Sequence, residues 1–341
     1  MISKNIKVLI TDVESRKAFD VYSIVHQLYG YSCVLCSKSG NLNRTGLGII
    51  YGEYVHQLRT QNQQHFNMDL ISIYNKHKSD NLVYLPVAET ATRLFYGFRE
   101  AYPEITIAHL LPDWDTFECC SDKGKFQIYC ESKGFQVPEK YTIDELRSRG
   151  TEVLPAIFKP RSGEGSVGIR HLNTQDDIEQ LTDFNFEEYL IQRKIKSKTK
   201  VAGAFFFCID GIVYSQYTHQ RLRTFPENGG VTVYSKSGAN EQILSQGREL
   251  LQSLKWNGLA MIEYLFDEES EKWYIIELNP RLWGSVLLSA ANGSQMLKAY
   301  IECSVGLDYE PKNSLKEAYI KWLIPFEVLN LFKGKIKPYH F

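Results

Sequence analysis

The first part of the chain alternates apolar runs with a segment of helical spacing. Residues Ile6 to Thr11 form an apolar run. Apolar residues then recur on one helix face, before a glycine suited to the position just past a helix end: Val21, Ile24, Val25, Leu28 and Gly30. Two further apolar runs lie at 31–36 and 82–87. This order of strand, helix and strand predicts an N-terminal α/β domain with a parallel sheet.

The rest of the chain has the pattern of a mixed α and β region. Turn-forming residues without a clean period at 111–122 predict a domain boundary. Helical spacing predicts helices at 123–132 and 242–254. Apolar runs predict strands at 156–159, 189–192, 204–209, 260–266 and 273–278. The lysine-rich residues after Tyr309 predict the solvated face of a C-terminal helix, with a docking surface as the alternative.

Composition limits the classes of partner. The 341 residues carry 39 Lys and Arg against 40 Asp and Glu, a formal charge of -1, so overall charge predicts neither nucleic acid nor an anionic membrane as a partner. The longest nearly apolar run, at 201–209, is shorter than the roughly 20 residues that a membrane helix needs, and no secretory signal pattern is present. We therefore expect a soluble, cytoplasmic protein whose seven cysteines are reduced thiols.

A row of polar residues interrupts the last predicted strand. In WYIIELNPRLWGS, at 273–285, polar side chains occupy every second position: Glu277, Asn279 and Arg281. Alternate residues of a strand share a face, so these three would line one side while Ile276 and Leu278 pack on the other. The stretch therefore predicts a polar face on an otherwise buried strand.

The strand before it carries a single acid. LAMIEYLFD contains Glu263, and DEESEK at 267–272 has the polarity and shortness of a hairpin loop. A hairpin folded about residue 270 places Glu263 opposite Glu277, and like charges across an antiparallel pair are destabilising unless something offsets them. Two carboxylates and an amide oxygen are ligands that Mg²⁺ uses. The pattern fits a metal site or the wet outer face of an amphipathic hairpin.

A glycine-rich loop follows the strand predicted at 156–159. In LPAIFKPRSGEGSVGIRHL, Lys159 precedes Gly163, Gly165 and Gly168, and glycines let backbone amides approach phosphate oxygens. A Rossmann fingerprint should open a helix, whereas a returning strand is predicted here. A Walker A loop needs its lysine after the glycines, and a protein kinase needs HRD and DFG motifs, which do not follow. Two interpretations of the loop are left: a β-hairpin flap over a nucleotide, and a flexible turn.

Together, the glycine loop and the acidic hairpin resemble the ATP-grasp superfamily, the fold of carboxylate-amine ligases, biotin carboxylase and carbamoyl phosphate synthetase. The resemblance is strongest in MIEYLFD and IIELNPRLWGS, and it spans most of the chain. It implies a mixed α/β and α+β protein: a parallel-sheet pre-ATP-grasp domain at 1–112 and a two-subdomain ATP-grasp fold. The small subdomain with its flap is expected at 113–190, and the large subdomain with the metal site at 191–341.

The resemblance implies roles for individual residues. Glu263, Glu277 and Asn279 match the ligands of Mg²⁺, or of Mn²⁺ in its place. The implied nucleotide-binding residues are two lysines, the flap and the hinge strand: Lys123, Lys159, Gly163, Gly165, Ser166, Gly168, Gln192, Lys194 and Ile195. The family's acid for the ribose has no match just past this hinge, where lysines and a threonine stand instead.

Substrate-directed residues are implied by three other matches. The NPR arginine falls on Arg281, and THQRLRTFPENGG at 218–230 resembles the segment directed at the γ-phosphate and the acyl substrate. LPVAETAT at 85–92 resembles the family's PxxE element near the acceptor site. The implied catalytic residues are Arg281, Arg221 and His219, and the implied substrate contacts are Arg223, Glu89 and Ser285. For the two arginines of 218–230, the alternative to a substrate role is a solvated position on a surface strand. For Glu89, the alternative is an acid placed at a helix N-terminus, where the helix dipole favours it.

The reaction implied by the resemblance joins a small-molecule carboxylate to an amine. ATP with Mg²⁺ would convert the carboxylate to an acyl phosphate, which the amine then attacks. A homodimer is the assembly left open. Two alternatives stand beside the ligase: a carbamoyl phosphate synthetase-like or carboxylase-like reaction on bicarbonate, and a nucleotide-binding subunit without catalysis.

Overall fold

Three β-sheets organise the protein. The computed structural model describes residues 5–39, 54–163, 167–197, 201–225, 231–310 and 315–322. The sheet nearest the N-terminus is parallel, and the two that follow are antiparallel. The predicted mixture of α/β and α+β structure is confirmed. Among the residues described, no helix has the length and apolar character needed to cross a membrane.

The first sheet has the strand order β3-β2-β1-β4. Its strands are β1 Ile6–Ile10, β2 Ser32–Ser37, β3 Val55–Gln57 and β4 Asn81–Leu85. Its helices are Arg16–Tyr22, which continues as a π-helix over Ser23–Leu28, then Gln63–His77 and Glu89–Ala101. The predicted helix ends as expected at Gly30, whose φ of 76° is a conformation that glycine adopts at no steric cost.

The second sheet is small and has the order β5-β8-β6-β7. Its strands are β5 Lys140–Tyr141, β6 Ala156–Pro160, β7 Arg170–Leu172 and β8 Tyr189–Arg193. The helices of this region are Trp114–Ser121, Lys123–Ser132, Ile143–Arg149 and Gln175–Glu179, with 3₁₀ turns at Gly150–Val153 and Phe186–Glu188. Because β6 and β7 pair antiparallel, the glycine-rich loop joins two strands of a hairpin, as predicted.

The third sheet has the order β13-β12-β9-β10-β11-β14. Its strands are β9 Val201–Ile209, β10 Ile212–Phe225, β11 Val231–Gly238, β12 Gly258–Asp267, β13 Lys272–Asn279 and β14 Tyr319–Lys321. Its helices are Glu241–Ser253, Leu287–Ala291 and Met296–Ser304. One face packs against the first sheet and the helix Met296–Ser304, and the other packs against the helix Glu241–Ser253.

The prediction of a helix after Tyr309 is wrong where the structure describes that region. Residues Tyr319–Lys321 form an edge strand on β11, and Trp322 N donates to Val233 O at 2.9 Å. Pairing with a distant strand overrides the local pattern, which shows only apolar residues among lysines. Residues 311–314 and 323–341 of the predicted helix lie outside the part described.

The loop after β13 is attached to the first sheet. Leu282 N donates to Pro86 O, just past β4, at 2.7 Å. Leu282, Trp283 and Val286 are buried in the same core as residues of β1 and β4. The segment that carries the NPR motif is therefore positioned by the first sheet as well as by its own strand.

Gly258 begins β12 against the backbone that enters from the first sheet. Its φ is +88°, and a Cβ there would lie 2.0 Å from Leu110 O. Because backbone strain and a clash with main chain add, we expect Gly258→Ala to lower the free energy of unfolding by about 3 kcal/mol in denaturant titrations. Gly134 has a φ of +75° but nothing within 4 Å of its Cβ position, so Gly134→Ala should cost about 1 kcal/mol. Equal losses would contradict the clash.

Candidate active site

The acidic hairpin brings the predicted pair of acids together, although near the turn its register, with Asp267 opposite Lys272, is one residue off the predicted fold about residue 270. Glu263 of β12 lies directly opposite Glu277 of β13. Their side chains are 18% and 24% exposed, respectively, and both line a cleft with Asn279 and Arg281. The hairpin face is therefore the wall of a cleft, and the alternative of a wet outer face does not fit.

The prediction that Ile276 packs on the face opposite Glu277 is wrong. Glu263 pairs with Glu277, but the next residue, Tyr264, pairs with Ile275, so Ile276 is the extra residue of a β-bulge. A bulge shifts the alternation of side chains by one position. Ile275 takes the core position beside Leu278, and Ile276 lines the cleft beside Glu277. Two consecutive isoleucines gave no sequence signal for this shift.

The cleft brings together most of the residues predicted for the site. Its volume is about 360 Å³, which lies within the range of small-molecule sites. The predicted residues that line it are Lys123, Lys159, Gly163, His219, Arg221, Glu263, Glu277, Asn279, Arg281 and Ser285. They come from the small sheet and its glycine loop, the helix Lys123–Ser132, β10, the β12–β13 hairpin and the loop after β13. The fold therefore assembles them from segments far apart in sequence.

Positive side chains compensate the two facing carboxylates. Arg221 Nη2 donates to Glu263 Oε2, and Lys123 Nζ lies 3.7 Å from Glu277 Oε2. Burial raises the pKa of Glu263, and Arg221 offsets only part of that rise. Burial acts in the same direction on Glu277, but Lys123 and a 2.9 Å hydrogen bond from Asn279 Nδ2 bring its pKa below the ordinary value. Glu277 is therefore the carboxylate held in its charged form.

Two lysines converge on this carboxylate from the small-sheet side. Lys159 is 5% exposed, and burial lowers its pKa to about 8, an effect that Glu277 opposes. Lys123 Nζ also donates to Gly163 O at 3.0 Å, at the start of the glycine loop. The ammonium groups thus lie between the loop and the hairpin, where phosphate charge would be expected.

His219 and Ser285 form a buried pair. His219 Nδ1 lies 3.0 Å from Ser285 Oγ, and the two residues are 2% and 3% exposed. Burial, together with the nearby Arg221, lowers the pKa of His219 well below its ordinary value. The ring is neutral at physiological pH, so it offers hydrogen bonds and no charge to an anion.

The predicted hinge is tied to the turn of the acidic hairpin. Asp267, the last residue of β12, accepts hydrogen bonds from Arg193 Nη2 at 3.2 Å and from Lys196 N at 3.3 Å. Gln192 Nε2 donates to Gln127 Oε1 at 2.5 Å, and Lys194 N donates to Pro155 O at 3.0 Å. Ile195 is buried. None of the predicted hinge residues is among those lining the described cleft wall.

Other predicted residues lie away from the cleft wall. Glu89 is in the first turn of the helix Glu89–Ala101, 3.4 Å from Arg93, which fits the alternative of an acid at a helix N-terminus. The guanidinium of Arg223 stacks on Tyr234 at 4.8 Å from the ring centroid. Gly168 has a φ of 78° and follows the part of the loop that holds Gly165 and Ser166, which lie outside the described residues.

Sequence reasoning missed Arg16. This residue begins the helix Arg16–Tyr22 just after β1, and its Nη2 donates to Gly284 O at 2.8 Å. Its side chain lines the same cleft. The carboxyl ends of parallel strands are where open α/β sheets bind ligands, so the position of Arg16 after the first predicted strand was the available signal.

Comparison with known proteins identifies the class of domain. Residues 120–285 match the ATP-grasp domain family model. The chain is 27% identical over 153 residues to acetyl-CoA carboxylase 2 of Arabidopsis thaliana, covering 42% of this chain and 6% of that protein. It is 21% identical over 253 residues to the carbamoyl phosphate synthase large chain of Thermoanaerobacter sp. (strain X514), covering 69% of this chain and 24% of that protein. The chain therefore spans a small fraction of these relatives.

Solved structures share the fold over nearly the whole chain. Biotin carboxylase from Campylobacter jejuni superimposes with a TM-score of 0.72 at 14% identity, covering 93% of this chain and 75% of that one. L-amino acid ligase from Bacillus licheniformis gives 0.65 at 13% identity, covering 89% and 75%, respectively. Residues 120–285 match the ATP-grasp domain model and the chain has the fold of these enzymes, so the resemblance found in the sequence is confirmed.

Proposed function

We propose that the protein is an ADP-forming ligase that activates a carboxylate as an acyl phosphate and joins it to an amine. The observation that carries the proposal is the meeting of Glu263 and Glu277 across one hairpin, beneath Lys123 and Lys159. Paired acids bind a divalent cation, and clustered lysines bind phosphate. That combination is what a metal-bound nucleoside triphosphate requires.

The donor set fits Mg²⁺, with Mn²⁺ as a substitute. Two carboxylates face each other, the amide of Asn279 adjoins one of them, and Glu277 is held ionised. Hard oxygen donors of this kind suit Mg²⁺. Among the described residues no group of three His, Cys, Asp or Glu side chains forms a cage, which agrees with a metal that shares its ligands with substrate phosphates. The bound ion would neutralise charge on the phosphates.

Two displacements make up the proposed reaction. An oxygen of the substrate carboxylate attacks the γ-phosphorus, and the bond to the bridging oxygen breaks to release ADP. The amine then attacks the acyl carbon, phosphate leaves with one oxygen of the original carboxylate, and the amine loses a proton. Such transfers depend on positioning and on charge neutralisation. Lys123, Lys159 and Arg281 would supply that neutralisation, and His219 would hold Ser285 in the wall of the site.

A reaction on bicarbonate is the second candidate. The relatives found by sequence are carboxylases and carbamoyl phosphate synthases, and a similar structure from Hydrogenobacter thermophilus is described with MgADP and bicarbonate. The same cleft residues would serve, because bicarbonate is also a carboxylate-like acceptor of phosphate. That structure is a dimer of its domain, and a homodimer is our proposal for this chain as well.

Heavy-oxygen labelling tests the proposed route. Candidate carboxylates labelled with ¹⁸O are supplied with ATP, Mg²⁺ and a pool of amines, and the released phosphate is examined by mass spectrometry. The ligase route moves one label from the carboxylate into phosphate. Labelled bicarbonate as the only productive acid would favour the second candidate, and ADP release without label in phosphate would contradict both.

Nucleotide affinity should fall as the pH rises above about 8. Burial lowers the pKa of Lys159 to about 8, and its ammonium form is the one that attracts phosphate. Above that pH, binding must first restore a proton, so the dissociation constant for ADP should rise by up to about tenfold per pH unit. Calorimetric titrations at fixed free Mg²⁺ measure this. Lys159→Arg, which stays charged, should lose the dependence, and an unchanged dependence would contradict the assignment to Lys159.

A further inference from the structure

We infer that the carboxylate substrate carries a second negative charge, which Arg16 binds at the end of the cleft formed by the first sheet. The inference rests on the proposed ligase function and deepens it by naming a substrate class: acids with a second carboxylate or a phosphate group. Three features of the cleft carry it, namely its charge, the location of Arg16 and the way that side chain is held.

The cleft has a surplus of positive side chains. Two acidic residues line it, Glu263 and Glu277, against six cationic ones: Arg16, Lys17, Lys123, Lys159, Arg221 and Arg281. Metal ions that accompany a triphosphate cancel much of its charge. Arg16 has one anionic partner, Asp20, outside this lining. Buried or half-buried charges gain from further partners, so a second anionic group on the substrate would add to the compensation of this wall.

Arg16 lies apart from the residues expected to bind phosphate. Lys123 contacts Gly163 and Glu277, on the side of the glycine loop. Arg16 enters from the first sheet instead, and its Nη2 donates to Gly284 O at 2.8 Å. Gly284 is next to Ser285 and follows the NPR motif by only a few residues. An anion at Arg16 would therefore adjoin the predicted acyl-substrate residues and not the metal ligands.

The guanidinium of Arg16 is held in one orientation by its neighbours. It lies 4.9 Å from the ring centroid of Trp322, and its Nη1 is 3.6 Å from Asp20 Oδ2. Trp322 Nε1 donates to the same Asp20 oxygen at 3.1 Å, which fixes that carboxylate in turn. Such an arrangement spares a ligand the entropy of ordering a long side chain.

The held side chain still has donors to offer. A guanidinium presents five N–H donors in a planar fork; in Arg16 the buried Nη1 lies beside Asp20, and Nη2 donates one hydrogen bond to Gly284 O. The side chain is 29% exposed and lines the cleft, so a ligand there can reach donors of the fork other than Nη1. Carboxylate and phosphate groups match this fork in a bidentate manner, which defines the substrate class.

The test compares matched acids that differ in one charge. ADP release is measured with glutarate against pentanoate, glutamate against glutamine, and 3-phosphoglycerate against glycerate. We expect a preference of at least about tenfold in kcat/KM for a dianion in one or more pairs. Arg16→Gln should remove that preference by raising the KM of the dianion alone. The pair that responds distinguishes a second carboxylate from a phosphate. Equal use of both partners by the wild type would overturn the inference.

Binding measurements keep the inference separate from the ligase proposal. The same acids are titrated by calorimetry into protein saturated with Mg·ADP, with Arg16→Gln and Arg16→Lys compared. Tighter binding of dianions that depends on Arg16, without ¹⁸O transfer, would refute the ligase and leave the anion site standing. No dianion binding more tightly than its partner would refute the anion site. A merely structural Arg16 would shift the melting temperature without altering the charge preference.

Arg149→Gln is the matched control. Arg149 ends the helix Ile143–Arg149, its side chain is 45% exposed, and it pairs with Glu152 at 3.9 Å outside the cleft. We expect this variant to keep the full preference for dianions. A loss equal to that of Arg16→Gln would mean that overall charge and not Arg16 sets the preference.

Discussion

Glu277→Gln is expected to lower the rate of ATP-dependent turnover by about a thousandfold while the fold survives. Glutamine keeps the shape of the side chain but removes the charge that would bind the cation, and it leaves Lys123 and Lys159 without their shared counter-charge. Because Glu277 faces a cleft and not a packed core, the free energy of unfolding should change by less than about 1 kcal/mol. Coupled-assay rates and denaturant unfolding measure the two effects.

Glu269→Gln serves as the control for this variant. Glu269 lies in the turn of the same hairpin, is 63% exposed and pairs with Lys196 at 2.9 Å. It should retain wild-type turnover, because an exposed ion pair contributes little. Wild-type activity in Glu277→Gln, or collapse of its fold, would count against a metal-binding role for the hairpin.

Lys159→Met is expected to weaken Mg·ADP binding by about a hundredfold without destabilising the protein. The variant removes an ammonium that phosphate would pair with. It also removes a charge whose burial is unfavourable, as the lowered pKa of Lys159 shows. The affinity for Mg·ADP should therefore fall, while the free energy of unfolding should be equal to or above that of the wild type.

Lys140→Met is the control for the buried lysine. Lys140 lies in β5 of the same small sheet, is 42% exposed and pairs with Glu131 at 2.7 Å. It should leave nucleotide affinity unchanged. If Lys159→Met kept wild-type affinity, or lost it only through unfolding, Lys159 would be a packing residue and not a phosphate ligand.

The hairpin was predictable because its information is local. The two acids lie at similar distances from one short polar turn, so an antiparallel pairing brings them close. The pairing nearest the turn, Asp267 with Lys272, would place Glu263 opposite Ile276 if the strand had no bulge. The bulge at Ile276 was not predictable, because either of two adjacent isoleucines satisfies the apolar pattern and only packing against the helices decides which one is buried. The alternation of polar and apolar residues predicts that a strand has one buried face. Tertiary packing decides which residues occupy that face after a bulge.

The remaining differences have tertiary causes. His219 stands among arginines in the sequence, which does not show that burial lowers the pKa of its ring. Arg16 reaches residue 284 only because the loop after β13 docks beside the carboxyl ends of β1 and β4. The residues at 319–321 become a strand because the edge of β11 has backbone groups to pair with them. None of these contacts joins residues that are close in sequence.

Calorimetric titration of ADP, with and without Mg²⁺, is the most direct test of the central claim that the facing carboxylates hold a metal on a nucleotide. We expect Mg²⁺ to tighten ADP binding by at least about tenfold in the wild type. The double variant Glu263→Gln/Glu277→Gln should bind ADP equally well with and without the metal. Absence of ADP binding by the wild type, or binding that ignores Mg²⁺, would contradict it.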